Sequence, residues 1–204
     1  MRDRTLGLRA DNKPMASVTA PGVMTADEYE RLDEVLGFRD ELIEGERVLS
    51  PNAVFPHAAI IKQLEKVLEN QLPHLSSEPL YVARETGWRF HNPASGTDSI
   101  PGPDLMVIRD DDARRAIKNR RWFEGVPLLV IEVISPSDRK ARRLQKVGLY
   151  LDMGVPHVVE VDYKKRLILV HTAETDSVAL YQKGDELSVP FRAAVDEIFA
   201  VLDC

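Results

Sequence analysis

Two acidic residues, Asp104 and Glu132, stand where carboxylates are uncommon. Asp104 follows Pro103 at the head of the apolar segment DLMVI, and Glu132 is the one charge in the apolar run PLLVIEVI. A carboxylate in a strand that is buried on both faces costs free energy unless it is paired, hydrogen-bonded or bound to a cation. If the two strands are neighbours, the carboxylates converge and offer the hard oxygen ligands that Mg²⁺ or Mn²⁺ prefers. The alternative is that Glu132 pairs with a buried arginine or lysine for structural reasons alone.

Three other residues could act with this pair of carboxylates. Lys146 lies on the predicted helix that follows the Glu132 strand, where a cation would stabilise the charge that develops when water attacks a phosphodiester. Glu41, in a predicted strand, could orient Lys146 or bind a second metal ion. His57, at a predicted helix start, could hold a phosphate or position water. Each has an ordinary alternative, because lysines commonly lie along amphipathic helices and lone histidines are commonly surface or capping residues.

Length and composition limit the remaining choices. The 204 residues predict one domain over residues 23–204, preceded by a flexible arm over residues 1–22 that mixes charge, proline and glycine. The single cysteine, Cys204, excludes an intramolecular disulfide and a cysteine-built zinc site. No apolar run approaches the roughly 18 residues needed to cross a bilayer, and no stretch resembles a signal peptide. We therefore expect a cytoplasmic protein that does not contact membranes.

Charge is unevenly distributed along the chain. The net charge of -6 argues against a protein that coats nucleic acid non-specifically. From Arg109 to Lys146, however, eleven basic and six acidic residues give a net charge of +5, and the rest of the chain carries -11. This basic segment flanks Glu132 and could guide a polyanion to it, although charge runs are most often solvated faces. Trp122 and Phe123 could stack on a base, but anchoring a loop to the core is the commoner role.

Hydrophobic periodicity predicts interleaved helices and strands, as in an α/β or α+β fold with a mixed sheet. The predicted helices cover residues 26–36, 57–72, 138–152 and the C-terminal segment AAVDEIFAVL, with a surface loop or short helix over 109–125. The first predicted strands form a hairpin over 39–50 with its turn at 44–46, and short strands follow near 81 and 87. A strand begins at residue 104, and a central strand begins at residue 127. A second hairpin turns at 163–165, and short strands follow near 178–182 and 187–191. We expect Pro73 to end the second helix and residues 92–103 to form an exposed loop.

Five segments together resemble the putative restriction endonuclease family within the PD-(D/E)xK nuclease superfamily. They are MTADEYERL, DELIEGERVLSPNAVFPH, GPDLMVI, PLLVIEVISPSDR and KVGLYLDMGVPHVVEVD, and they span about residues 24–172. The dipeptide Pro103-Asp104 alone is uninformative. The combination of EVISPS, a downstream lysine and tyrosine, and GVPHVVEVD is specific.

This resemblance implies a restriction-endonuclease-like α/β core with a mixed central β-sheet flanked by helices, and a Mg²⁺- or Mn²⁺-dependent hydrolysis of DNA phosphodiester bonds. The catalytic positions that it assigns are Glu41, His57, Asp104, Glu132 and Lys146. Asp104 and Glu132, aided by the backbone carbonyl of Val133, would bind the metal ion.

Two positions depart from the wider pattern. The superfamily's lysine usually stands two residues after the glutamate, where this sequence has Ile134, so Lys146 must reach the site from a helix. The family also commonly has an aspartate four residues before that lysine, and Arg142 stands there instead. An acidic role at this position is therefore not expected here.

A metal-dependent endodeoxyribonuclease is thus the leading hypothesis, with DNA as its partner and a homodimer as one way to cut both strands. The alternative is a non-catalytic nucleic-acid-binding or protein-interaction module on a nuclease fold, because a fold does not guarantee an activity. An enzyme that processes RNA or another phosphodiester is a third candidate.

Overall fold

The computed structural model describes residues 22–135 and 140–203, which form twelve strands and five α-helices. The strands are β1 (Phe38–Ile43), β2 (Glu46–Pro51), β3 (Leu80–Arg84), β4 (Phe90–Asn92), β5 (Thr97–Ser99), β6 (Leu105–Arg109), β7 (Leu129–Val133), β8 (His157–Asp162), β9 (Leu167–Thr172), β10 (Ser177–Tyr181), β11 (Glu186–Leu187) and β12 (Ala193–Ala194). The helices are α1 (Ala26–Tyr29), α2 (Phe55–Leu75), α3 (Asp110–Asn119), α4 (Lys140–Asp152) and α5 (Val195–Phe199), the last followed by a 3₁₀ turn at Ala200–Leu202.

A six-stranded sheet in the order β10-β9-β8-β7-β6-β3 forms the centre of the molecule. β7 and β8 are parallel, and the other neighbouring pairs are antiparallel. The sheet is therefore mixed, as predicted. The central position of β7 is also as predicted, because its apolar residues are buried and such a run is typical of a strand covered on both faces.

Alternate residues of β7 face helices on opposite sides of the sheet. Ile131 and Val133 belong to a core cluster that includes the apolar residues of α2. Val130 belongs to a second cluster, which includes Val147 of α4. Because strand side chains alternate between faces, Glu132 lies on the α4 side of the sheet.

The pairing of β6 with β7 positions the two conspicuous carboxylates. Leu105 of β6 is opposite Ile131 of β7 in an antiparallel register. Asp104 and Glu132 are the next residues along each strand, and residues opposite one another in an antiparallel pair share a face. The prediction that these strands are neighbours is confirmed.

The β1–β2 hairpin forms a separate two-stranded sheet beside the central one. It turns through Glu44 and Gly45, both with positive φ, which suits the tight turn of a two-residue hairpin. A bridge between Leu42 and Ile100 joins the hairpin to the segment that precedes Asp104. This contact brings β1 next to the start of β6.

Two predicted helix boundaries are wrong. Thr25 caps α1 through the expected capping box with Glu28, but the helix ends at Tyr29 instead of continuing to residue 36. Leu36 is 88% exposed, so no buried apolar face supports a longer helix. Pro73 does not end α2, which continues to Leu75, because the proline removes only one hydrogen bond of the helix and Leu75 packs against the core.

Two predictions for irregular or extended segments also differ from the structure. The expected loop over 92–103 contains β5, which pairs with β4 across a turn at Gly96, where φ is 70°. The expected strand over 187–191 is limited to Glu186–Leu187. Pro190 has no N–H to donate to a strand partner, and this restricts the pairing.

Some expectations concern residues outside the described ranges. The predicted arm over residues 1–22 lies there except for Gly22, and so do Cys204 and the expected start, at residue 138, of the helix predicted over 138–152. Among the helices of the described part, none combines the length and apolar character needed to span a membrane.

Candidate active site

A cavity of about 300 Å³ opens among the β1–β2 hairpin, the start of α2, the end of β7 and helix α4. Its lining includes four of the five predicted catalytic residues, Glu41, His57, Glu132 and Lys146. The fifth, Asp104, is 1% exposed and contacts groups of the cavity wall. The structure thus brings all five residues to one place.

Asp104 is held by three neighbours. Its Oδ1 accepts a hydrogen bond from Arg39 Nη1 at 2.7 Å, and its Oδ2 accepts one from the backbone N–H of Val133 at 2.6 Å. His57 Nε2 lies 3.4 Å from the same Oδ2. Burial would raise the pKa of Asp104, but these neighbours outweigh burial and lower the pKa to about 2. Asp104 is therefore ionised at neutral pH, and a cation that binds it displaces no proton.

Glu132 shares one oxygen between two donors from α4. Its Oε1 lies 2.8 Å from Lys146 Nζ and accepts a hydrogen bond from Tyr150 Oη at 2.6 Å. Burial raises the pKa of Glu132, and the charges of Asp104 and Glu41 act in the same direction, although Lys146 opposes them. The ionised form of Glu132 thus depends on nearby positive charge.

Lys146 lies between two carboxylates. It donates to Glu41 Oε1 at 3.0 Å, and the same oxygen accepts the backbone N–H of Gly102 at 2.8 Å. Burial would lower the pKa of Lys146, but Glu132 and Glu41 outweigh burial and raise the pKa above its usual range. Lys146 therefore carries a positive charge at neutral pH.

His57, in the first turn of α2, connects two of the groups expected at a metal site. Its Nε2 is 2.8 Å from the carbonyl oxygen of Val133, so this nitrogen carries a proton and donates it. Burial would lower the pKa of His57, whereas Asp104 raises it, and the net direction is upward. Its Nδ1 is buried and has no hydrogen-bond partner within the described ranges.

Arg39 is the main functional candidate that the sequence analysis missed. It contacts Asp104, lines the cavity and has a buried Nη2 without a hydrogen-bond partner among the residues that the structure describes. Burial would lower the pKa of Arg39, but the negative charges of Asp104, Glu41 and Glu132 outweigh burial and raise this pKa above its usual range. The alternation of strand side chains was the available signal, because Arg39 stands two residues before Glu41 in β1.

The basic segment has a less uniform role than its charge indicated. Phe123 is 2% exposed and anchors its loop, as the commoner role predicted, whereas Trp122 is 38% exposed and lines the cavity. In α3, Arg114 pairs with Asp110, so part of the local charge is neutralised within the helix. Arg142, which stands where the family commonly has an aspartate, lines the cavity and lies 3.4 Å from Glu46.

The donor set fits a hard divalent cation in its chemistry. Asp104, Glu132 and the carbonyl of Val133 offer only oxygen ligands, which suit Mg²⁺ or Mn²⁺. In the described part of the chain, no three His, Cys, Asp or Glu side chains form a group that could hold a metal ion. The carboxylates instead contact Arg39 and Lys146. A metal ion would therefore share these carboxylates with side-chain cations or displace them.

Comparisons with known proteins identify a family for the chain and a solved structure with a similar fold. The model of the Uma2 family, described as putative restriction endonuclease, matches residues 26–195 of the chain. The chain belongs to this family. The crystal structure of a putative nuclease belonging to DUF820 from Anabaena variabilis is similar, with 20% identity and a TM-score of 0.72 over 88% of this chain and 99% of that one. A search of the curated proteins finds no match.

These findings confirm the predicted family and the predicted fold class. Membership in the Uma2 family agrees with the resemblance in the sequence, since the matched residues include every candidate site position. The structural likeness shows that this Uma2 chain shares the fold of the similar nuclease, with a mixed sheet flanked by helices.

Proposed function

We propose that the protein is a metal-dependent endonuclease that hydrolyses phosphodiester bonds of DNA. The observation that carries this proposal is the convergence of Glu41, His57, Asp104, Glu132 and Lys146 at one cavity of a chain in a restriction endonuclease family. Mg²⁺ or Mn²⁺ would be held by Asp104, Glu132 and the carbonyl of Val133. A bound divalent cation supplies a water of lowered pKa and neutralises charge on the phosphate.

Lys146 acts in this proposal as a fixed positive charge. Its raised pKa makes it a poor general base at neutral pH, because it does not release its proton. A protonated amine at the cavity wall instead stabilises the negative charge on the phosphate oxygens as the attacking water approaches. Its two carboxylate partners fix its position before substrate binds, so that little reorganisation is needed during the reaction.

Glu41 and His57 position other groups. Glu41 holds Lys146 and is itself fixed by the Gly102 backbone. His57 donates to the Val133 carbonyl and lies beside Asp104, so it orients two of the proposed metal ligands. Such neighbours keep ligands in one orientation and tune their basicity.

The charge of the central cluster of Arg39, Glu41, Asp104, Glu132 and Lys146 supports a substrate with one phosphate there. When Glu132 is ionised and His57 is neutral, the three carboxylates and the two cations Arg39 and Lys146 leave one negative charge. A divalent cation makes this group singly positive, and one phosphodiester then makes it neutral. Metal and phosphate are therefore mutually supportive ligands, because each reduces the repulsion that the other would meet.

The test is cleavage of supercoiled plasmid with Mg²⁺, Mn²⁺ or EDTA. We expect Glu132→Gln to lower the rate by about 10² or more, because it removes a proposed metal ligand and one partner of Lys146 while it preserves volume. Glu69→Gln, at an exposed position of α2, is the matched control and is expected to cleave at the wild-type rate. Circular dichroism of both variants checks the fold. Wild-type cleavage by Glu132→Gln, or undiminished cleavage in EDTA, would contradict the proposal.

A non-catalytic nucleic-acid-binding module is the second candidate, and one observation favours it. Asp104 and Glu132 already contact Arg39 and Lys146, so their charges are compensated without a metal ion. Calorimetric titration with Mn²⁺ separates the two candidates. The module predicts no binding, or equal binding by wild type and Asp104→Asn, whereas the endonuclease predicts binding that Asp104→Asn weakens.

A further inference from the structure

A second buried carboxylate lies beside Glu132 on the same face of the sheet. Glu160 of β8 is opposite Glu132 in the parallel register and is 1% exposed. Its Oε1 accepts a hydrogen bond from Arg143 Nε at 2.6 Å, and its Oε2 lies 2.9 Å from His171 Nε2. Burial would raise the pKa of Glu160, but His171 and Arg143 outweigh burial and lower it. Apart from the general charge of the basic segment that contains Arg143, the sequence analysis assigned these residues no role.

Helix α4 connects this cluster to the candidate active site. Arg143 and Lys146 are three residues apart, so they lie on one face of the helix about 4.5 Å apart along its axis. Each meets its own carboxylate on the sheet below, Glu160 for Arg143 and Glu132 for Lys146. Arg143 and Glu160 line the same cavity as Lys146. The two cations therefore form a short positive row along one wall.

Stability does not explain the cluster well. Two buried or half-buried charges lose hydration. A protein with well-packed apolar residues in their place is often as stable as the protein with the ion pair, or more stable. A function that needs an oriented arginine does explain it, because Glu160 fixes the guanidinium through Nε. The Nη groups of Arg143 make no hydrogen bond to any residue of the described ranges, and its side chain keeps 24% of its surface exposed. A planar guanidinium with open N–H groups suits a phosphate.

We propose that Arg143, oriented by Glu160 and His171, binds the DNA phosphate next to the one at Lys146. The inference rests on the proposed function, since it takes DNA as the substrate and Lys146 as the position of the reacting phosphate. It adds a binding subsite that directs the strand along α4. Arg143 is in this view a substrate-binding residue, and Glu160 and His171 are positioning residues.

The experiment measures the salt dependence of binding instead of cleavage. A fluorescein-labelled DNA duplex is titrated with protein in Ca²⁺ over a series of KCl concentrations, and the logarithm of the affinity is plotted against the logarithm of the salt concentration. Each protein cation that neutralises a phosphate contributes about 0.9 to this slope. We expect Arg143→Gln to reduce the magnitude of the slope by about 0.9, and Arg143→Lys to retain the wild-type slope because the charge is kept.

Arg166→Gln is the matched control, because Arg166 is also an arginine in an ion pair, with Asp203, and does not line the cavity. It is expected to keep the wild-type slope. An unchanged slope in Arg143→Gln, equal reductions in Arg143→Gln and Arg143→Lys, or no DNA binding by the wild type would each overturn the subsite. Failure of the proposed function is a separate result, namely a wild type that binds with the expected slopes and does not cleave in Mg²⁺ or Mn²⁺.

Discussion

Arg39 binds one of the two carboxylates that we propose as metal ligands. Its Nη1 lies 2.7 Å from Asp104 Oδ1, and Asp104 Oδ2 is already bonded to the Val133 N–H. Two unit charges about 4 Å apart interact by about 4 kcal/mol at an effective dielectric constant of 20, and the interaction is stronger at shorter distances. A divalent cation at Asp104 therefore meets repulsion from Arg39 or must displace it. In the proposed site, Arg39 and a metal ion would compete for the same oxygen.

This competition gives a prediction at the scale of a single residue. We expect Arg39→Gln to bind Mn²⁺ at least about tenfold more tightly than wild type, which corresponds to about 1.4 kcal/mol. The gain is smaller than the full Coulomb energy because the wild-type side chain can move away. Isothermal titration calorimetry measures the affinity, with Arg47→Gln as control, since Arg47 pairs with Asp40 on the same hairpin and makes no contact with Asp104. Equal or weaker Mn²⁺ binding by Arg39→Gln would rule out the competition.

The sequence indicated most residues of the site, whereas the contact between Arg39 and Asp104 is visible only in the fold. A lone carboxylate in the apolar run of β7 is a strong signal because burying it needs compensation, and this signal led to Glu132. The residue types and their positions also indicated Asp104, Lys146, Glu41 and His57, and the family resemblance then assigned all five to one site. Arg39 and Asp104 are 65 residues apart in the chain. Strand alternation places Arg39 on the same face of β1 as Glu41, but the contact with Asp104 arises only from the docking of the hairpin onto the sheet.

At the scale of the elements, the lysine of this site comes from a helix and not from the strand that carries the glutamate. Lys146 reaches Glu132 from α4, across the face of β7. Ile134 stands just after β7, continues the parallel pairing through a 2.9 Å hydrogen bond to the Val161 carbonyl and lines the cavity. Because strand residues two apart share a face, a side chain at position 134 points to the same side as Glu132.

This geometry permits a test of which element can supply the charge. We expect Lys146→Met to lower the cleavage rate by about 10²–10³, the usual loss for one electrostatic group. The double variant Lys146→Met with Ile134→Lys is expected to recover about tenfold or more of that loss, because the new ammonium lies beside Glu132. Plasmid cleavage rates measure the recovery, and Ile134→Lys alone is the control. No recovery in a folded double variant that still binds Mn²⁺ would mean that only the helix places the charge correctly.

The elements that the sequence predicted best are those with a long periodic or continuous apolar pattern. The apolar run of β7 and the amphipathic face of α2 were found because burial of many residues selects one periodicity. The short hairpin of β4 and β5 was missed, since three-residue strands carry too little pattern and depend on neighbouring packing. The prediction that Pro73 ends α2 was wrong, because tertiary packing of the last turn outweighs the tendency of proline to end a helix.

At the scale of the whole molecule, one chain contributes every residue of the candidate site. The hairpin, the start of α2, the end of β7 and helix α4 all lie in a single copy, and together they form one cavity with one set of carboxylates. The strands of a DNA duplex run in opposite directions, so a single site meets one scissile phosphate at a time. The proposed homodimer would supply a second site for the other strand.

We therefore expect nicked circles to accumulate before linear DNA when supercoiled plasmid is cleaved at low protein concentration. Each encounter with one site breaks one strand, and the second break needs another encounter or a second copy of the chain. The ratio of linear to nicked product should then rise with protein concentration in step with the dimer fraction, which analytical ultracentrifugation measures. Linear product without a nicked intermediate at the lowest protein concentration would show that both cuts occur in one encounter. If the ratio of linear to nicked product stays constant while the dimer fraction rises, the second cut does not depend on dimerisation.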